Sequence, residues 1–214
     1  MGRPYICAQK KHDAMRTLLK RFIVLSLCLP CAAALDAQVP SISTNLLDWA
    51  NLGTMNVQAG VSISRHVSLQ TGIRYNPWRY GSMEKENALQ NCARTASAGL
   101  RWWPWNVYSS WWFGSRAIVE EYNRGGLFGR QMTEEGIAAG LSLGAGYSRM
   151  IAPHWNLDFG LGLWGGRARY TRYRCPRCGR IVSSGDTAGE PVSNRMKWFI
   201  LPSDDVQISL IYVF

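Results

Sequence analysis

Histidine is scarce in this sequence, three residues in 214, and bases outnumber acids, 24 Lys and Arg against 14 Asp and Glu, for a formal charge of +10. Past residue 37 only His66 and His154 remain, so a general base beside a nucleophile has few places to form. Metal ligands are thin as well. Cys92, Cys175 and Cys178 are the cysteines of that region, whereas tetrahedral zinc needs four convergent ligands. The apolar run from Phe22 to Leu29 is far shorter than the roughly 18 residues of a spanning helix. No segment keeps a helical period, which removes the helical bundle as a class. Glycine and tryptophan, in contrast, are abundant, at 21 and 10 residues.

The first segment has the three-part layout of a secretory signal: Arg16, Lys20 and Arg21, the run Phe22 to Leu29, then small residues up to Asp36-Ala37-Gln38. Residues 1–37 are expected to be a signal peptide cleaved after Ala37, with Met15 as a candidate true start. Cys28 follows Leu27 and Cys31 follows Pro30, which disfavours a lipoprotein cleavage site. Residues 38–214 then make one domain.

That domain alternates. Met55, Val57, Ala59, Val61 and Ile63 interleave with Asn56, Gln58, Gly60, Ser62 and Ser64, and the pattern resumes over Val67 to Tyr75 after Arg65-His66. It recurs over residues 95–102, 113–120, 137–148 and 156–163 and in the closing stretch Asp205 to Phe214. With a poorly alternating first strand over Thr44 to Leu52, the total is eight. A soluble sandwich would show the same pattern with its apolar face inward. Three features favour an all-β, eight-stranded antiparallel up-and-down transmembrane β-barrel of the outer membrane. The polar face is rich in glycine and serine, as a narrow lumen requires. Tryptophans crowd the strand ends, with Trp102, Trp103, Trp105, Trp111, Trp112 and Trp155 at one rim and Trp49, Trp78, Trp164 and Trp198 near the other. Connections alternate between short turns (65–66, 106–110, 152–153) and long loops (79–91, 124–135, 174–202). Tyr212 and the closing Phe214 have the form of a barrel-assembly signal.

Ala59-Gly60-Val61-Ser62 followed by His66-Val67-Ser68-Leu69 is echoed by Ala145-Gly146-Tyr147-Ser148 followed by His154-Trp155-Asn156-Leu157, an offset that suits an eight-strand ring. Thr44-Asn45-Leu46-Leu47, Gly72 to Tyr75 with Asn76-Pro77-Trp78, Trp155-Asn156-Leu157, Tyr173 to Cys175 with Cys178-Gly179, and Ile208 to Tyr212 together resemble domain of unknown function 3575, an outer-membrane family of Bacteroidota. The resemblance spans nearly all of residues 38–214. It implies a small barrel, no catalytic residues, and a link in some relatives to surface-fimbria systems. The arginine-rich last loop departs from the family pattern.

Cys175-Pro176-Arg177-Cys178-Gly179 reads as a loop disulfide in an oxidising compartment, with half a zinc knuckle and a redox pair as alternatives. Arg167, Arg169, Arg172, Arg174, Arg177 and Arg180 form a basic run suited to phosphate or carboxylate, and hence to lipopolysaccharide; a solvated loop is the bland alternative. Arg74, Arg101, Arg116, Glu120 and Asp158 fall on the lumen face, where unpaired charge is too costly, so an ion-pair network that plugs the barrel is expected.

The resulting expectation is a non-enzymatic outer-membrane barrel with no cofactor and a filled lumen, binding or anchoring through its outer loops. Its partners would be membrane lipid and lipopolysaccharide, the barrel assembly machinery and surface-fimbria or other cell-surface proteins, with no nucleic acid. A small pore and an outer-leaflet lipid-modifying enzyme are the alternatives.

Overall fold

The computed structural model describes residues 39–51, 53–80, 89–125, 132–174, 192–202 and 206–214. Ten strands and one short helix follow in order: β1 (Pro40–Asn45), α1 (Leu46–Ala50), β2 (Met55–Ser62), β3 (Val67–Asn76), β4 (Arg79–Tyr80), β5 (Leu89–Trp102), β6 (Ser110–Gly125), β7 (Met132–Ala152), β8 (Trp155–Arg174), β9 (Val192–Pro202) and β10 (Gln207–Val213). Every pairing is antiparallel.

Ten strands make eight staves. β4 continues β3, with Pro77 unable to donate at the break, and pairs with β5. β9 and β10 divide the length of β8 between them, β9 along Leu163–Arg172 and β10 along Trp155–Gly160. β10 also pairs with β1, from Ser41↔Val213 to Asn45↔Ser209, and this closes the ring into an eight-strand up-and-down barrel. The ring is uneven. β7 and β8 run 21 and 20 residues, while β2 and β3 on the opposite wall run 8 and 10.

The first strand is displaced from its expected position. It ends at Asn45, where α1 begins, so the expected strand over Thr44 to Leu52 is half helix. Asn45 explains the switch: its backbone is extended, and its side-chain oxygen accepts from the Leu47 amide at 3.1 Å, capping the helix. The expected loop over residues 174–202 likewise contains β9. Met196, Trp198 and Ile200 on one face of β9 and Phe199 and Leu201 on the other make it apolar on both sides, which conceals its period.

The barrel is inverted relative to a soluble domain. Leu143, Leu161 and Ile200 are 72%, 74% and 76% exposed on the outer wall, whereas Arg101, Arg116 and Asp158 inside are 1%, 2% and 0% exposed. Asn56, Gln58, Ser68, Gln70, Thr95, Ser97, Ser142, Asn156, Gln207 and Ser209 are buried with them.

Three tryptophans expected at the rims are inside instead. Trp103 and Trp112 are wholly buried, and Trp164 is nearly so. Trp102-Trp103 and Trp111-Trp112 are adjacent pairs, and a period of two sends one member of each pair outward and the other inward. Trp103, Tyr108 and Trp112 form one interior cluster; Ile118, Tyr122, Ala138, Trp164 and Ala168 form another. Gly146 makes room for the first: a Cβ there would overlap both the Trp112 indole and the Phe159 carbonyl.

Candidate functional site

The interior is arranged in tiers between the turn end (residues 63–66, 103–109 and 153–154) and the opposite, loop end. At the turn end the Trp103 indole N–H donates to Ser68 at 3.0 Å and the Asn156 amide to the Tyr108 carbonyl at 2.7 Å. The Ser41 hydroxyl donates to the Tyr108 hydroxyl at 3.0 Å. Tyr108 lies in the β5–β6 turn with φ +64, and burial pushes its phenol up from the ordinary tyrosine value. The repeated histidines also serve here. One ring nitrogen of His66 meets the Trp103 carbonyl at 3.0 Å, and one of His154 meets the Val213 carbonyl at 2.9 Å. Each histidine thus ties its turn to the neighbouring strand, which gives the internal repeat a local physical cause.

Above that plug is Asp158 on β8. One oxygen accepts from Arg101 at 2.9 Å and from Gln207, and the other accepts the Trp112 indole N–H at 2.6 Å. The Arg101 guanidinium also lies over the Trp112 ring, 3.8 Å from its centroid. Arg116 donates to Gln70 at 3.0 Å and is close enough to Asp158 to act on it electrostatically. Higher still, Glu120 pairs with Arg124. At the mouth Glu134 is a hub, accepting from Tyr122 at 2.9 Å, from Arg172 at 3.0 Å and from Lys197. Beside α1, Arg74 pairs with Asp48 at 3.3 Å.

The five charges expected on the lumen face therefore point inward, and Arg101 joins Asp158 directly. Arg74, Arg116 and Glu120 take other partners. Gln70, Trp112 and Gln207 all lie at inward strand positions and were findable from parity, whereas Arg124, on β6, belonged to the loop expected over residues 124–135. Asp48 was hidden in α1, Lys197 in β9, and Glu134 in what reads as a loop.

The basic run is divided by the same parity. Arg167 and Arg169 point outward, opposite Trp198 and Met196 of β9, and Arg167 stacks over the Trp198 ring at 4.4 Å. Arg172 faces Glu134 at the mouth. Arg174 ends β8. Arg177, Arg180, Cys175 and Cys178 lie outside the described residues, as does the segment 1–37. Cys92 is a free thiol, half-buried, with Pro77 and Trp78 carbonyls beside it. Tyr212 packs edge-on against Trp155 and Phe214 on the outer wall at the turn end. Among the described residues, no cluster of three or more His, Cys, Asp and Glu could hold a metal ion.

Chemically, the interior is an alternating stack of charge and aromatic surface that fixes eight staves in place. The outer wall and the two ends of the barrel are what remain to meet other molecules. A family model described as protein of unknown function (DUF3575) matches residues 22–214. No curated protein and no solved structure matches the chain.

Proposed function

Since the chain belongs to the DUF3575 family of proteins of unknown function, we propose that it is a non-enzymatic outer-membrane barrel with a filled lumen. In this reading it acts as a binding or anchoring element through its loop end. The observation that carries the reading is the inverted wall: large apolar side chains face out and the charges face in. Water would penalise that arrangement, while hydrocarbon rewards it. The height agrees. Ile137, Ala139, Leu141, Leu143, Ala145 and Tyr147 line the outside of β7. At the usual rise and tilt they cover about 25 Å, the apolar band of such barrels. Closure leaves no open edge along the turn half, as hydrocarbon requires.

A binding role is favoured over a pore because the Asp158 tier and the Trp103–Tyr108–Trp112 cluster occupy the interior. Against enzymatic chemistry stands the placement of His66 and His154 at the turn end, each with a ring nitrogen engaged by a backbone carbonyl. The partners that follow are lipid and lipopolysaccharide along the wall, the barrel assembly machinery at the C-terminal stretch, and cell-surface or fimbrial proteins at the loops.

Unheated and boiled outer-membrane samples run side by side on a detergent gel test the reading. A closed barrel shifts on boiling. A band that does not shift, or that fractionates with soluble periplasmic protein, overturns it.

A further inference from the structure

We propose that Arg167 and Arg169, together with Trp198, form a site on the outer wall for a phosphate monoester carried by a lipid. The proposal rests on the membrane reading above and names a ligand for one part of it.

The strand period builds the site. Residues 159, 161 and 163 of β8 are Phe, Leu and Leu, all exposed on the outer wall, and the next outward position is Gly165, beside which Ile200 of β9 packs. Arg167 and Arg169 come next on the same face, both exposed. Outward neighbours two residues apart on a strand sit roughly 7 Å from each other, a span that two guanidiniums can close around one phosphate. Trp198, 73% exposed, holds the Arg167 guanidinium over its face, 4.4 Å from the ring centroid, and a stacked guanidinium keeps its in-plane N–H groups for an anion.

The pair sits at the loop-side margin of the apolar band, Arg169 level with Ile137 and Arg167 with Ala139, from which side chains this long reach a headgroup. Apolar residues lie on the turn side, and polar outward residues begin on the loop side. The residues directly across from the pair are Ala139 and Ile137 on β7 and Trp198 and Met196 on β9, none of them acidic. The closest outward acids by register are Glu121 on β6, level with Ile137 and hence with Arg169 but a strand further round, and Glu135, opposite Thr171, one outward step toward the loops. Arg172, the next arginine, faces Glu134, so the pair and not the whole run is what the wall offers. Two cations suit a dianionic monoester better than the single charge of a phosphodiester. Anchored beside an apolar stripe, they suit a lipid better than free phosphate.

The purified full-length barrel in detergent is titrated by native mass spectrometry with bisphosphorylated lipid A, the same lipid stripped of both phosphates, phosphatidylglycerol and inorganic phosphate. Bisphosphorylated lipid A should bind at least tenfold more tightly than each of the others. R167Q/R169Q should lose that preference, R172Q should keep it, and Trp198→Ala, which retains both charges, should weaken it severalfold. The proposal is overturned if the stripped lipid, phosphatidylglycerol or inorganic phosphate matches lipid A, or if R167Q/R169Q binds like the parent. The gel separates the two levels. A parent protein that shows no heat shift removes the membrane reading itself, while a normal shift without phosphate preference removes only this site.

Discussion

Asp158→Asn is the most informative single change, because it keeps the shape of the side chain and removes only what the interior relies on. Three donors converge on the carboxylate, from Arg101, Trp112 and Gln207. Asparagine has one oxygen, so its own N–H₂ must confront at least one of them. The Arg101 charge, with 2% of its side chain exposed, also loses its counter-ion. Breaking a buried pair from one side costs about 3–5 kcal/mol. Part of that range already includes the orphaned donor, worth about 1–3 kcal/mol by itself, so the expected loss is about 4 kcal/mol. Removing both charges in Arg101→Met/Asp158→Leu should be milder, at about 1–3 kcal/mol, because only the Trp112 and Gln207 donors are then stranded. Reversible urea unfolding in detergent micelles, followed by tryptophan emission, measures both variants beside the parent and the single changes Arg101→Met and Asp158→Leu. If Asp158→Asn stays within about 1 kcal/mol of the parent, or the double variant is as unstable as the two single changes added together, the pair does not organise the interior.

Asn45→Ala removes both the α1 cap and the bonds its side chain makes to Ile208 and Val206, and should cost about 2 kcal/mol in the same unfolding assay. Gly146→Ala pushes a methyl into the Trp112 ring and should cost about 1–3 kcal/mol, with a blue-to-red change in emission as the indole is displaced. Stability should fall above about pH 10. The buried Tyr108 phenol has a raised folded value, so its contribution is complete below the unfolded value and is lost as pH climbs toward the folded one. In Tyr108→Phe that alkaline decline should be shallower, as read from urea midpoints across pH 9 to 12. Planar-bilayer recordings of the parent and of Arg116→Met should stay at baseline, since Arg101, Asp158 and the aromatic cluster still fill the interior; large open channels would refute the filled lumen.

Alternation alone made most of the barrel legible, because a strand with one face on a packed interior and the other on the outer wall must repeat every two residues. β2, β3, β5, β6, β7, β8 and β10 were therefore readable from residue order, as were the inward directions of Arg101, Arg116, Glu120 and Asp158. Strands fail to announce themselves where both faces are apolar, as in Lys197-Trp198-Phe199-Ile200-Leu201 of β9. A single helical turn is also invisible to a period search, so α1 was concealed and Asp48 with it. The tryptophan doublets misled for a third reason. Their abundance suggested two girdles, but abundance carries no direction, and position within the pleat decided that Trp103 and Trp112 pack inside. The division of the arginine run into Arg167 and Arg169 outside and Arg172 inside follows from the same parity.

The seam between β1 and β10 sets the order of events in making the molecule. The other pairings of the wall join staves that follow one another along the chain, with β9 and β10 together forming the stave beside β8. Ser41↔Val213 to Asn45↔Ser209 instead unites the first described strand with the last, through five residue pairs, where β6 and β7 are joined through sixteen. A contact between such distant residues carries the largest loop-closure entropy in the chain and should form last. Until it does, the protein is a curled open sheet with a free strand at each side. When the ring is stressed the same joint should part first, and Asn45, buried at its upper end and bonded to both flanks, is the clasp that delays it.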